Sequence, residues 1–295
     1  MIDETSVAKK KKKNKRKKII LYACLGVCIT AVVVCAVGLG IELYTGRKSI
    51  AYYSALSEGI EKRPRQTGSQ GNAGRPQPSP PVNDGDDNDE TDVGEPVFEA
   101  DPWIPYVDFD TLNRRFPGIA AWIQLEGTLL DYPVMQGTNN YFYLSNLPDG
   151  TRDRAGSVFL DYRNSPDFSD QSSLLYGHES RVGEMFGVLK NFRTQSFYDE
   201  HPVINLYTQD YDYEIVLIAG YLVDSGVETP PLSFRDEAAF ERYIAEIRRR
   251  SVFRSSVEVD ADDRLVCLCT CAYDFTNARL VIVGKLVAVD GIDFG

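Results

Sequence analysis

The chain has 295 residues, of which 43% are hydrophobic, and a formal net charge of −11. That charge is unevenly divided: residues 9–18 hold nine Lys and Arg, whereas from Ser49 onward 21 basic residues face 40 acidic ones, a net of −19. So acidic a body repels nucleic acid and anionic lipid, and neither is expected as its partner.

From the N-terminus, the basic segment 1–18 is followed by a run without a charge, Ile19 to Ile41. At a helical rise of about 1.5 Å per residue the run covers roughly 34 Å, enough for a bilayer core. It predicts a single transmembrane anchor, retained because no small-residue cleavage site follows it. The basic residues before it, against Arg47 and Lys48 after it, place the N-terminus in the cytoplasm and the rest outside. Residues 42–62 form a juxtamembrane segment, with a short helix expected over 49–62. Residues 63–100 lose nearly all large apolar side chains and carry seven acidic residues between Asp84 and Glu95. They read as a disordered tether. Asp84, Asp86, Asn88, Asp92 and Glu95 imitate a calcium loop, but Asp89 stands where such a loop needs glycine, so a solvated linker is expected. Asp101-Pro102-Trp103 then reads as a turn leading to the first core residue rather than as an aromatic lid.

Residues 101–295 form one domain, long enough for a single core. A helix is expected at Asp110–Phe116. Strand patterns follow at Ala121–Leu125, Leu129–Val134, Ser157–Asp161, Ser173–Tyr176, Val203–Tyr207, Tyr211–Tyr221, Ser256–Val259, Arg264–Thr270 and Arg279–Val289. Short strands with few long helices suggest a closed barrel or a sandwich. One helix interrupts them: Ser233-Phe234-Arg235-Asp236 reads as a capping box, and Phe240, Tyr243, Ile244 and Ile247 recur at helical spacing. The plain reading packs that stripe on the sheet; the alternative has Tyr243 and Ile244 wall a groove as well.

Of the six cysteines, Cys24, Cys28 and Cys35 lie in the uncharged run. Cys267, Cys269 and Cys271 alternate along one apolar strand. Strand neighbours two apart are about 6.6 Å apart at Cα, at the edge of disulfide geometry. Three thiolates strung over about 13 Å also cannot converge on one tetrahedral zinc. Neither a disulfide framework nor a metal site follows. Cys271 ends its run ahead of the polar Tyr273-Asp274-Phe275-Thr276-Asn277, where a side chain is rigidly held and still reaches solvent. His178 similarly ends Leu174-Leu175-Tyr176-Gly177, while His201 reads as a loop residue. Arg279 follows Cys271 by eight residues. Thiol, imidazole and guanidinium are the nucleophile, proton shuttle and oxyanion stabiliser of an acyl-transfer enzyme.

With these residues in view, the chain resembles the sortases, membrane-anchored cysteine transpeptidases of Gram-positive bacteria, and class B most closely. Leu268-Cys269-Thr270-Cys271 with Arg279 is similar to the family's T-L-x-T-C and downstream arginine, and Tyr176-Gly177-His178 to its histidine motif. Trp122-Ile123, Tyr132-Pro133-Val134, Asn140-Tyr141-Phe142-Tyr143-Leu144 and Gly156 to Asp161 resemble the class B opening. Cys267 departs from the motif's first threonine, Cys269 stands where serine is frequent, and Glu179-Ser180 follows the histidine.

The resemblance implies a mostly β fold: an eight-stranded sortase-type β-barrel with a few peripheral helices, after the anchor and linker. It implies a transpeptidase that cleaves a sorting motif of exported surface proteins after Thr, without metal or cofactor. The acyl group would pass to an amine, from a peptidoglycan cross-bridge precursor or a pilin lysine. Cys271 would be the nucleophile, His178 the general acid and base, and Arg279 the oxyanion stabiliser. Asn140, Leu144, Tyr176, Tyr243 and Ile244 would form the substrate groove. The rival readings are a cysteine peptidase with water as acceptor and a non-catalytic surface binding protein on the same fold.

Overall fold

The computed structural model describes residues 4–58, 107–179, 185–224, 226–271 and 278–289. The tether at 63–100, its imitation calcium loop, Asp101-Pro102-Trp103 and the loop 273–277 lie outside them. Eight strands close into one barrel in the order β1-β2-β3-β4-β7-β8-β6-β5. They are β1 Ile119–Gln124, β2 Asp131–Gln136, β3 Val158–Leu160, β4 Ser172–Gly177, β5 Val203–Tyr207, β6 Asp212–Asp224, β7 Leu265–Cys271 and β8 Ala278–Ala288. Pairing is antiparallel except for β2 with β3 and β4 with β7.

Strand β7 shows why its sequence is apolar without alternation. Val266 and Leu268 point into the main core with Trp122, Phe159 and Leu206. Leu265, Cys267 and Cys269 face a second core, closed from outside by α4, Glu237–Arg250. A strand buried on both faces carries no polar side.

Helix α4 begins one turn later than a capping box at Ser233 requires. Asp236 is itself the N-cap, its Oδ1 accepting from Ala239 N at 2.8 Å. Ser256–Val259 is not a strand. Val257 and Val259 pack on the second core, and the segment is held by Ser255 Oγ donating to Leu217 O at 3.0 Å rather than by a ladder. Alternating apolar residues there signal a half-buried coat.

Two helices flank the barrel near its start: α2, Phe109–Arg115, and α1, Glu4–Glu58. The end of α1 docks on the domain. Tyr53 and Leu56 enter the main core, Tyr53 packs edge-on against Tyr132 at 4.9 Å, and its hydroxyl donates to Gly156 O at 2.7 Å. Ser57 hydrogen-bonds Asp131 on β2. Among the described residues no helix is long and apolar enough to cross a membrane.

Candidate active site

The two parallel strands β4 and β7, with β8 beside them, build the site. Gly177 at the end of β4 is in register with Thr270, and Cys271 lies directly opposite Arg279 in the β7–β8 ladder. His178 follows Gly177 as Cys271 follows Thr270. Histidine, cysteine and arginine therefore occupy adjoining positions at the ends of three neighbouring strands, the histidine one residue past β4, although it is 93 residues before the cysteine.

Two close backbone approaches hold the histidine end. A Cβ on Gly177 would stand 2.8 Å from the Phe186 ring, so glycine lets that ring pack across the strand end. Phe186 N in turn donates to His178 O at 3.0 Å. Gly156, at φ +60°, lies against the 3₁₀ turn Phe142–Leu144; a Cβ there would meet Leu144 O at 2.8 Å. The Leu144 carbonyl is 2.7 Å from His178 Nε2. A carbonyl oxygen only accepts, so Nε2 carries the proton, and in the neutral ring Nδ1 holds the lone pair that can take one up.

A cavity of about 260 Å³ opens here, lined by Asn140, Leu144, Tyr176, His178, Cys269 and Arg279. Phe159, Val223 and Val281 give it an apolar floor, and Glu228-Thr229-Pro230 from the β6–α4 connection forms one wall. Three of the five expected groove residues, Asn140, Leu144 and Tyr176, are thus gathered with His178 and Arg279. Tyr243 and Ile244 are not among them. Ile244 is buried in the second core, and the Tyr243 hydroxyl lies 3.0 Å from that of Tyr221 and 3.9 Å from Cys267 Sγ. Helical spacing turned both toward the sheet, where they pack on the second core. His201 caps the C-terminus of a short helix, Gln195–Glu200, with its ring against Phe197, away from this site.

Two of the thiols of β7, Cys267 and Cys269, are buried. Burial pushes Cys267 up to about 11, against weak relief from Ser172 and Tyr243. Burial also pushes Cys269 well up, with Cys267 adding to it and the Arg279 guanidinium working against it. Both are free thiols and stay protonated, hence unreactive, near neutral pH.

Sequence reading missed two features. The Glu228-Thr229-Pro230 wall carries no motif beyond strand-breaking prolines. Asp161, read from sequence as the end of the strand Ser157–Asp161 and of the Gly156–Asp161 motif but given no role, is completely buried beside the cavity and hydrogen-bonded to both Asn140 and Tyr176.

No family model matches the chain. It is 33% identical over 183 residues to Sortase B of Staphylococcus aureus (strain NCTC 8325 / PS 47), covering 61% of this chain and 75% of the relative. The solved Staphylococcus aureus sortase B–substrate complex superposes with a TM-score of 0.59 at 32% identity, covering 61% of this chain and 85% of that one. A crystal structure of sortase B complexed with triglycine gives 0.58 at 33% identity, covering 61% and 86%.

Proposed function

This chain belongs to the class B sortases, a family of cysteine transpeptidases, and we propose that it cleaves a sorting motif of exported proteins after Thr and passes the acyl group to an amine. The observation that carries the reading is the strand register, which sets His178, one residue past β4, beside Cys271 on β7 and Arg279 on β8, with His178 and Arg279 lining the cavity.

Cys271 Sγ attacks the Thr carbonyl carbon, forming a C–S bond and a tetrahedral oxyanion. Arg279 donates to that oxygen. The C–N bond then breaks as the His178 imidazolium protonates the leaving amine, and a thioester remains. An incoming amine reverses the sequence: it attacks the thioester, gives its proton to His178, and releases the Cys271 thiolate as the new amide forms. Thiol, imidazole and guanidinium supply the nucleophile, the proton and the oxyanion donor, so the sequence of steps calls for no metal or cofactor. Asn140, Leu144 and Tyr176 line the groove for the motif. The substrate complex of the Staphylococcus aureus relative and the triglycine complex of sortase B support a peptide donor and an amine acceptor of this kind. Here the acceptor is a peptidoglycan cross-bridge precursor or a pilin lysine.

The enzyme works at the cell membrane, on the outer side, held by the uncharged run 19–41 with the basic segment inside. Val27, Val32 and Val34 on α1 are each 65–70% exposed, an apolar belt that lipid would cover. Separation of products decides between transfer and hydrolysis: with a sorting peptide and a glycine-based amine, the amide adduct should dominate. Free acid alone, unchanged by the amine, would make the protein a peptidase; no cleavage at all would leave a binding protein.

A further inference from the structure

Asp161 has no accessible surface, yet its two carboxylate oxygens receive five donors. Arg163 supplies three: backbone N and Nε to Oδ1 at 3.0 and 2.9 Å, and a terminal guanidinium nitrogen to Oδ2 at 2.8 Å. The other two come from the cavity wall. Asn140 Nδ2 donates to Oδ2 at 2.9 Å, and Tyr176 Oη donates to the same oxygen at 3.1 Å. Burial alone would push this carboxyl up; the Arg163 and Asn140 donors outweigh it and hold Asp161 below the ordinary carboxylate range.

The arrangement limits what the wall can offer a ligand. A phenol has one O–H, and that of Tyr176 is committed to Asp161, so toward the cavity its oxygen can only accept. The Asn140 amide is fixed at both ends, because its Oδ1 also accepts from Tyr162 N at 3.0 Å. One N–H and one lone pair of that amide are left, at a fixed tilt.

We propose that Asp161 is a positioning residue that sets the donor and acceptor polarity of the peptide groove, acting through Tyr176 and Asn140. The inference rests on the cavity being the groove of the transpeptidase described above. The groove then presents the Tyr176 oxygen as an acceptor for a peptide N–H and the Asn140 amide as a paired donor and acceptor. That pattern suits an extended backbone.

The test combines a mutant cycle with a signal that does not need turnover. Asp161→Asn, Tyr176→Phe and the double variant are compared by kcat, KM and melting temperature, all assayed well below the lowest transition. Asp161→Asn frees the phenol to rotate, and KM should rise about tenfold or more, the scale of one charge-assisted hydrogen bond. The double variant should be no worse than Asp161→Asn alone, because Tyr176 is acted on through Asp161. In parallel, the Asn140 side-chain amide resonance, assigned by its loss in Asn140→Ala, should shift in Asp161→Asn. A lower melting temperature with unchanged KM, additive effects and an unmoved Asn140 amide would reduce Asp161 to a structural residue and overturn the proposal. If the wild type turns over no peptide, the functional reading fails instead, and the Asn140 resonance still decides whether Asp161 holds the wall.

Discussion

Cys271 and Arg279 face each other across the β7–β8 ladder, so the arginine assigned to the oxyanion comes from the strand hydrogen-bonded to the nucleophile's own. Such a donor is placed by sheet register, which cannot slip by one residue without exchanging the side chains that fill the two cores. Arg279→Ala should lower kcat by about 10²–10³, the usual cost of one oxyanion donor. Arg279→Lys should recover little, because an ammonium keeps the charge and loses the planar fork. Turnover equal to wild type in either variant would remove the role, and a change in KM alone would recast it as ground-state binding.

The remaining cysteines of β7 should be inert. In a Cys271→Ala background, iodoacetamide at pH 8 should leave Cys267 and Cys269 unmodified, with Cys267 labelled only as pH nears 11 and both labelled as the protein unfolds. Peptide mapping by mass spectrometry reads the sites directly. Modification of Cys267 in folded protein at pH 8 would contradict its burial.

Stability should carry the signature of Asp161. Its folded-state pKa is depressed, so its contribution is fully present above the unfolded value of about 3.9 and is lost as pH falls through the lower folded value. Asp161→Asn should therefore cost about 2–3 kcal/mol at pH 7, less than breaking a fully buried pair because Arg163 stays half in water. The gap should narrow below about pH 4. Urea titrations across pH measure it; a gap independent of pH would show that the carboxylate is not held ionised.

The docked end of α1 should matter to the barrel. Tyr53→Phe removes the hydrogen bond to Gly156 O while keeping the ring against Tyr132, and should cost about 1 kcal/mol in urea unfolding. Gly156 packs against the turn whose Leu144 carbonyl orients His178. An unchanged midpoint would mean that α1 is not docked in solution.

The strands that build the site were legible because both are extreme. β4 and β7 contain apolar runs that end at a histidine and a cysteine, and burial on two faces admits only small polar side chains, Ser172, Ser173 and Thr270. The spacing of Phe240, Tyr243, Ile244 and Ile247 likewise fixed which side of α4 is buried. It did not fix where along the sheet that side lands, and Tyr243 and Ile244 pack on the second core, outside the cavity lining. The 3₁₀ segment Phe186–Arg193 and the helix Gln195–Glu200 escaped notice because each is too short to show a period. Asp161 escaped for another reason: two of its partners, Asn140 and Tyr176, are 21 and 15 residues away, and only the fold brings them together.

The most direct test of the account is the mass of the trapped acyl-enzyme. Incubation of the wild type with a peptide carrying a Thr-containing sorting motif, without an amine, followed by acid quench and digestion, should give a thioester mapped to Cys271. The adduct should disappear on adding a glycine-based amine, and it should never form in Cys271→Ala. An adduct on Cys267 or Cys269, or cleavage that continues in Cys271→Ala, would contradict the assignment of the nucleophile and the mechanism built on it.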